Sequence, residues 1–302
     1  MVRPRRSYTA APGADVVLEP FRRVADAVVG ILPKSAARAI RFRYVRGFWP
    51  SLSAPTGINE KINWRIVRDD RPMWDWTCDK IAMKTEVARR APGLKVPAVL
   101  WSGTDVADLA GRDFGDRWIL KGNRGTGQIY LGRGHVNMDE IKRTMLRWKM
   151  DRPGRVLGET AYLRAAPGFF VEQWVGEPDH VPTDYKVFVF DGVARFLTVH
   201  TGRFHDHHAS LYSPSWERLA ARLPGAPAHD QDLPQPETLA ELIHGAELVA
   251  AGFDFIRVDL FVVSDGVWFG ETTPYPWSGL NQLIPQSFEL EAGCYWTLPD
   301  LS

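Results

Sequence analysis

Apolar and polar residues alternate through "YKVFVF", "ARFLTVH" and "FIRVDLFVV", the two-residue period of strands that turn one face to a core. Elsewhere the spacing is helical. "VVLEPFRRVADAVVGIL", "KSAARAIRFRYVRGFW", "CDKIAMKTEVARRAPG", "NMDEIKRTMLRWKMD" and "PETLAELIHGAELVAAG" carry apolar side chains three and four residues apart, the third stopping at Pro-Gly and the last at Gly252. "KVPAVLWSG" and "GFFVEQWVG" read as short strands, and "RWILKGNRGTGQIYLGRG" as strand, glycine-rich loop, strand. Asp191-Gly192 makes the turn of a further hairpin, whereas "HTGRFHDHHASLY" and "LPGAPAHDQDLPQPE" read as loops. Hairpins interleaved with single helices predict an α+β fold with antiparallel or mixed sheets, not a doubly wound parallel sheet.

One hairpin carries acids inside its apolar runs. In "IRVDLFVVSDGVWFGETTP" a three-residue Ser264-Asp265-Gly266 loop pairs Val263 with Val267, Phe261 with Phe269, Asp259 with Glu271 and Arg257 with Thr273. Two ionised carboxylates then oppose each other, which is unfavourable unless a cation lies between them. Oxygen ligands alone favour a hard ion, Mg²⁺ or Mn²⁺. A two-residue Asp-Gly turn fits the same sequence and sends the acids to opposite faces. Arg257, on the face of Asp259, favours the first register, because a metal beside a cation suits a polyphosphate.

Composition narrows the class. The chain has 302 residues and a net charge of +1, so bulk charge does not argue for nucleic acid. Cys78 and Cys294 are too few for a disulfide framework and match no metal spacing. Without a signal-like or membrane-length apolar run, a cytoplasmic location is expected. Residues 1–50 hold ten basic and three acidic side chains. This region is expected to be a helical cap with outward charges, and contact with the inner face of a membrane or an anionic polymer is the functional alternative.

A second chemical cluster lies upstream. Lys121 ends an apolar strand and Gly122, Gly125 and Gly127 follow, so backbone N–H groups can converge on an anion beside a point charge. This is not the P-loop order, since the lysine precedes the glycines. With "INEKINWR", "CDKIAMK", "WILKGNRGTG", "FFVEQWV", "DYKVFVFDG", "FIRVDLF" and "FGETTPYPWSG" in this order over roughly residues 56–298, the chain resembles the ATP-grasp superfamily. In detail it resembles the TupA-like branch, named for teichuronopeptide biosynthesis.

The resemblance implies two α+β lobes clamping ATP behind a short helical N-terminal cap. The expected divisions are residues 1–75, a basic helical region, 76–175, the first lobe with its glycine-rich lid, and 176–302, the second lobe with the metal hairpin. Lys80 and Lys121 are implied as phosphate contacts, Gly125, Thr126 and Gly127 as the phosphate loop, and Glu172 to Val175 as the adenine hinge, with the Gln173 and Val175 backbones as partners. Asp184 is similar to the ribose acceptor, and alternation points Lys186 into the same cleft. Arg257, with Lys80 and Lys121, is implied in catalysis, and Asp259 and Glu271 as metal ligands. Thr273 stands where many family members have a metal-binding Asn. The helical chain before Lys80 also differs from the usual preceding domain.

Such enzymes activate a carboxylate as an acylphosphate and let an amine displace phosphate. The resemblance therefore implies an ATP- and Mg²⁺-dependent carboxylate–amine ligase acting on a small-molecule, peptide or glycan carboxylate. A kinase or other phosphotransferase and a polysaccharide-assembly, glycosyltransferase-like protein are the alternatives. Arg203, Ser278 and Gly279 are candidate substrate contacts. His205, His207 and His208 lack a distant partner of zinc-site type, so a basic loop led by Arg203 is expected there. Trp64, Trp74 and Trp76 are expected to pack, with a sugar- or peptide-binding groove as their functional alternative.

Overall fold

The computed structural model describes residues 32–124, 127–150, 157–177, 180–202 and 206–301. The helix expected near residues 16–32 lies almost wholly outside them, as do Gly125, Thr126, Arg203 and His205. In chain order the elements are α1 (Lys34–Arg46), α2 (Ile58–Arg68), α3 (Asp75–Cys78), α4 (Lys80–Arg90), β1 (Val99–Gly103), β2 (Trp118–Gly122), β3 (Ile129–Gly132) and α5 (Met138–Met150). They continue with α6 (Thr160–Arg164), β4 (Phe169–Gln173), β5 (Thr183–Phe190), β6 (Val193–Thr201), β7 (His208–Tyr212), α7 (Leu239–Ala250), β8 (Phe255–Val263), β9 (Gly266–Thr273) and α8 (Gln286–Cys294).

The strands form two sheets, β1-β4-β2-β3 and β7-β6-β5-β8-β9, and every strand pair in both is antiparallel. β5 is central in the larger sheet and buried along almost its whole length. α7 packs on one face of this sheet. On the other face Phe188 stacks on Phe196 at 4.4 Å, and Trp277 and Phe288 close over them. The far half of that second face carries polar side chains instead, and the site is built there. A smaller core of Leu109, Trp118, Leu120, Ile141, Met145, Trp148 and Val171 supports the four-stranded sheet.

Two sequence expectations need correction. "HASLY" is not loop but β7, because its apolar residues pair along the open edge of β6, and this ladder outweighs the polar local composition. The charges of the N-terminal helices do not all point outward. The Arg38 guanidinium is buried and donates to Asn63 Oδ1 at 2.5 and 2.8 Å, to Ser278 Oγ at 3.0 Å and to the Ser278 carbonyl. Arg65, also buried, donates to the Phe255 and Pro274 carbonyls and pairs with Asp254 at 2.8 Å. Its guanidinium lies between the Trp74 and Trp296 rings, 4.2 and 4.1 Å from their centroids. α1 and α2 thus fasten both ends of the β8–β9 hairpin and the turn that follows it. Trp74 is core, Trp76 packs on Phe253, and Trp64 is half-buried.

Candidate active site

The acid-bearing hairpin reaches its register by an unexpected route. Its loop is Ser264-Asp265, with Val263 opposite Gly266, Phe261 opposite Trp268 and Leu260 opposite Phe269. Continued, this register would separate the two acids. A bulge at Gly270 inserts one residue into β9, and beyond it Asp259 faces Glu271 and Arg257 faces Thr273. The expected pairs Val263–Val267 and Phe261–Phe269 do not form, whereas the expected pairs of the acids and of Arg257 do.

Arg257 grips Asp259 with two parallel bonds, Nε to Oδ1 at 2.7 Å and Nη2 to Oδ2 at 2.8 Å. Its Nη2 also reaches Thr273 Oγ1 at 3.3 Å and lies 3.8 Å from Glu271. Lys186, opposite Asp259 on β5, joins it to Asp184 at 2.5 and 2.8 Å. Asp184, Lys186, Arg257, Asp259 and Thr273 are all buried.

The first lobe contributes from above. Asp79 caps α4 by accepting from the Ile81 and Ala82 N–H groups, and Lys80 follows it. The Asn123 carbonyl and side chain bind the Lys80 and Ile81 N–H groups, which ties this helix start to the glycine-rich hairpin. Lys121 pairs with Glu172, and Lys84, one turn after Lys80, reaches the other oxygen of the same carboxylate at 2.8 Å. Burial pushes Glu271 up, but Lys80, Lys186, Arg257 and Lys121 together hold it below the ordinary carboxylate range. Burial lowers the Lys80 ammonium, with Glu271 opposing that shift and Lys121 adding to it. Four cations from α4, β2, β5 and β8 therefore act on one carboxylate.

The other candidates lie on neighbouring elements with partners of their own. Glu172 is a buried counter-ion for two lysines, and the Gln173 N–H is bonded to the Ala98 carbonyl. Val175 is buried beyond it, and Gly127 has φ +69°. Ser278 and Gly279 are buried and turned toward Arg38 and Asn63, with the Gly279 carbonyl 2.7 Å from Asn63 Nδ2. Lys84, Asn123, Arg38 and Asn63 were not singled out from the sequence. Asn123 adjoins Lys121 in the quoted motif and Lys84 lies at helical spacing from Lys80, so those two had a signal available.

Asp259, Glu271 and Thr273 present only oxygen donors from one face, a set that fits a hard divalent cation. Phosphate or water oxygens would have to complete its shell, since no group of three or more His, Cys, Asp or Glu suited to a metal occurs among the described residues. Such an ion would share Asp259 with Arg257 and Lys186.

Lysines and an arginine thus converge on paired carboxylates in an α+β protein with two antiparallel sheets. Residues 60–296 match the TupA-like ATP-grasp family, and the chain belongs to it. Among solved structures it is similar to D-alanine–D-alanine ligase from Bacillus anthracis complexed with ATP, at 13% identity and TM-score 0.37, over 66% of this chain and 54% of that one. It is also similar to L-amino acid ligase from Bacillus licheniformis, at 13% identity and TM-score 0.42, over 82% and 55%. D-Alanine–D-alanine ligase from Helicobacter pylori gives 14% identity and TM-score 0.42, over 74% and 59%. The chain thus spans little more than half the length of these structures. No curated protein matches it. No helix among the described residues is long and apolar enough to cross a membrane.

Proposed function

We propose that the protein is an ATP- and divalent-metal-dependent carboxylate–amine ligase that works through an acylphosphate. The observation that carries this reading is the pairing of Asp259 with Glu271 on facing strands, with Arg257 bonded to Asp259 and 3.8 Å from Glu271 and Lys186 bonded to Asp259 from the next strand. The cations are nearly balanced by Glu172, Asp184, Asp259 and Glu271, so a polyphosphate entering alone would bring unneutralised negative charge. A bound divalent ion would supply that neutralisation.

In this reading Lys80 and Lys121 bind phosphate oxygens, and Arg257, held by Asp259, stabilises the phosphoryl group in transfer. Asp259, Glu271 and Thr273 hold the metal. Asp184 accepts from the ribose, and the segment from Glu172 to Val175 runs along the adenine. The donor is a carboxylate of a small molecule, peptide or glycan, and the acceptor is an amine. Arg38 and Asn63 fix the Ser278-Gly279 turn from behind, so this turn would contribute a rigid wall to the donor pocket.

The Glu271→Gln variant is the cleanest test. Asp259 pairs directly with Lys186 and Arg257 at 2.5 and 2.7 Å, whereas the Glu271 contact with Arg257 is 3.8 Å long, so neutralising Glu271 disturbs the buried ion-pair row less. Mg²⁺-dependent ADP release, assayed with pooled carboxylates and amines, should fall by about 10²–10³-fold with the melting temperature little changed. Retained turnover sinks the metal assignment. ADP release with hydroxyl acceptors and no free phosphate would point to a phosphotransferase instead.

A further inference from the structure

The polar row on the cleft face extends past the cations. Across β5 and β6, Asp184 pairs with His200 and Lys186 with Thr198, so these side chains share one face. His200 and Thr198 are both buried. His200 Nε2 lies 3.0 Å from Thr198 Oγ1, and its Nδ1 lies 2.9 Å from Nε2 of His207. The two rings are nearly parallel, 18° apart, with centroids separated by 5.2 Å. His207 is half-exposed, on the stretch leading into β7. A hydrogen bond between two ring nitrogens needs one N–H and one lone pair, so at most one of these imidazoles is charged in this arrangement. The pair can pass from doubly neutral to singly charged by taking up one proton.

Ligase chemistry needs such an acceptor, because an ammonium has no lone pair with which to attack an acyl carbon. The carboxylates of the cleft are poorly suited to the task. Glu172 is clamped by Lys84 and Lys121, Asp184 by Lys186, and Asp259 by Lys186 and Arg257. Glu271 is ringed by four cations. Glu159 lies buried beside Arg38 and bonded to Ser278, behind the wall of the pocket. His229 is bonded to Thr201, whose side chain points to the opposite face of β6 from that of His200, so it is not on the cleft face. The His200–His207 pair is on the cleft face, and imidazole is the side chain that ordinarily exchanges a proton near neutrality.

We propose that the His200–His207 pair is the proton acceptor for an incoming cationic amine. The inference rests on the ligase reading above. The ammonium gives one proton to the pair and becomes an amine, whose lone pair forms the C–N bond at the acylphosphate carbon. The bond from that carbon to the phosphate oxygen breaks, and the phosphate leaves with the electron pair. The second nitrogen-bound proton goes to the departing phosphate, leaving a neutral amide. Among the described residues, Asp184 and Lys186 from β5 and Asp206 and His208 beside His207 are charged or titratable groups that bear on the pair's pH response. His229 and Arg218 lie beyond them.

Hydroxylamine separates this role from a structural one, because it is already uncharged at neutral pH and traps an acylphosphate as a hydroxamate without needing a base. Carboxylate donors are first found with the unaltered protein, Mg²⁺-ATP and hydroxylamine, using pooled amino acids and uronic acids. The same donor is then given pooled amino acids as acceptors. His207→Gln should lose amide formation by about 10²-fold and hydroxamate formation far less, with the amide rate recovering as pH rises toward the amine's own pKa. His200→Gln should behave alike, and melting curves verify that both variants fold. Equal losses for the two nucleophiles, or no loss for either, overturn the inference. If the unaltered protein forms no hydroxamate from any donor, the ligase reading itself fails and this inference with it.

Discussion

Gly270 lies so close to Asp259 that a Cβ on it would stand 3.0 Å from the Asp259 carbonyl oxygen and equally near the Phe261 ring. The bulge that brings Glu271 opposite Asp259 depends on this missing side chain. Gly270→Ala should therefore cost about 1–2 kcal/mol by denaturant unfolding and lower Mg²⁺-dependent ADP release by more than tenfold. Gly266→Ala, with φ +125° and open space around it, should lose about 1 kcal/mol with a much smaller loss of turnover per unit of stability. Equal effects of the two changes on turnover would show that the bulge does not set the metal face.

The hairpin also shows what was legible in the sequence. Alternation identified the strands, and Asp259, Glu271 and Arg257 could be paired because side-chain direction has a strict period of two. The bulge could not be read, since a single glycine in an apolar run looks the same whether it pairs or bulges, and only packing against Phe261 decides. Arg38, Asn63 and Arg65 were hidden for another reason. On a helix surface a polar residue reads as solvated, and the carbonyls that draw these three inward lie some 190 to 240 residues away for the arginines and 216 for Asn63. The family resemblance marked "INEKINWR" as matching without revealing that its polar residues support the hairpin. The His200–His207 contact is equally invisible, because the polar composition before and within β7 reads as loop.

Glu172 answers two buried lysines, so removing its charge leaves both uncompensated. Glu172→Gln should destabilise the protein by about 3–5 kcal/mol in urea unfolding. Adding Lys84→Met should recover part of that loss by removing one orphaned cation. Burial raises the Glu172 carboxyl, but Lys121 and Lys84 hold it below its ordinary value. The stability it contributes is therefore complete above the unfolded-state pKa and is lost as pH falls through the folded one. Glu172→Gln should accordingly flatten the acid limb of the stability profile. An undiminished limb would show that other carboxylates carry it.

Glu159 has the opposite sign. Burial pushes its carboxyl up to about 7 from 4.5, against the lowering effects of Ser278 and Arg38. Between those values the folded protein binds the proton more tightly than the unfolded chain. This contribution is complete below pH 4.5 and is lost as pH rises through about 7. The shift corresponds to about 3 kcal/mol between the two limits. Glu159→Gln keeps the shape and a hydrogen bond for Ser278 but cannot ionise. Its stability should match the unaltered protein at about pH 4 and exceed it at pH 8, with the difference growing between pH 4.5 and about 7 in urea unfolding. Because Ser278 joins this carboxyl to the turn after β9, the same variant should also reduce any loss of ADP release above pH 7 that arises from loosening of that turn. A stability difference independent of pH would show that Glu159 ionises in the folded protein as it does in the unfolded chain.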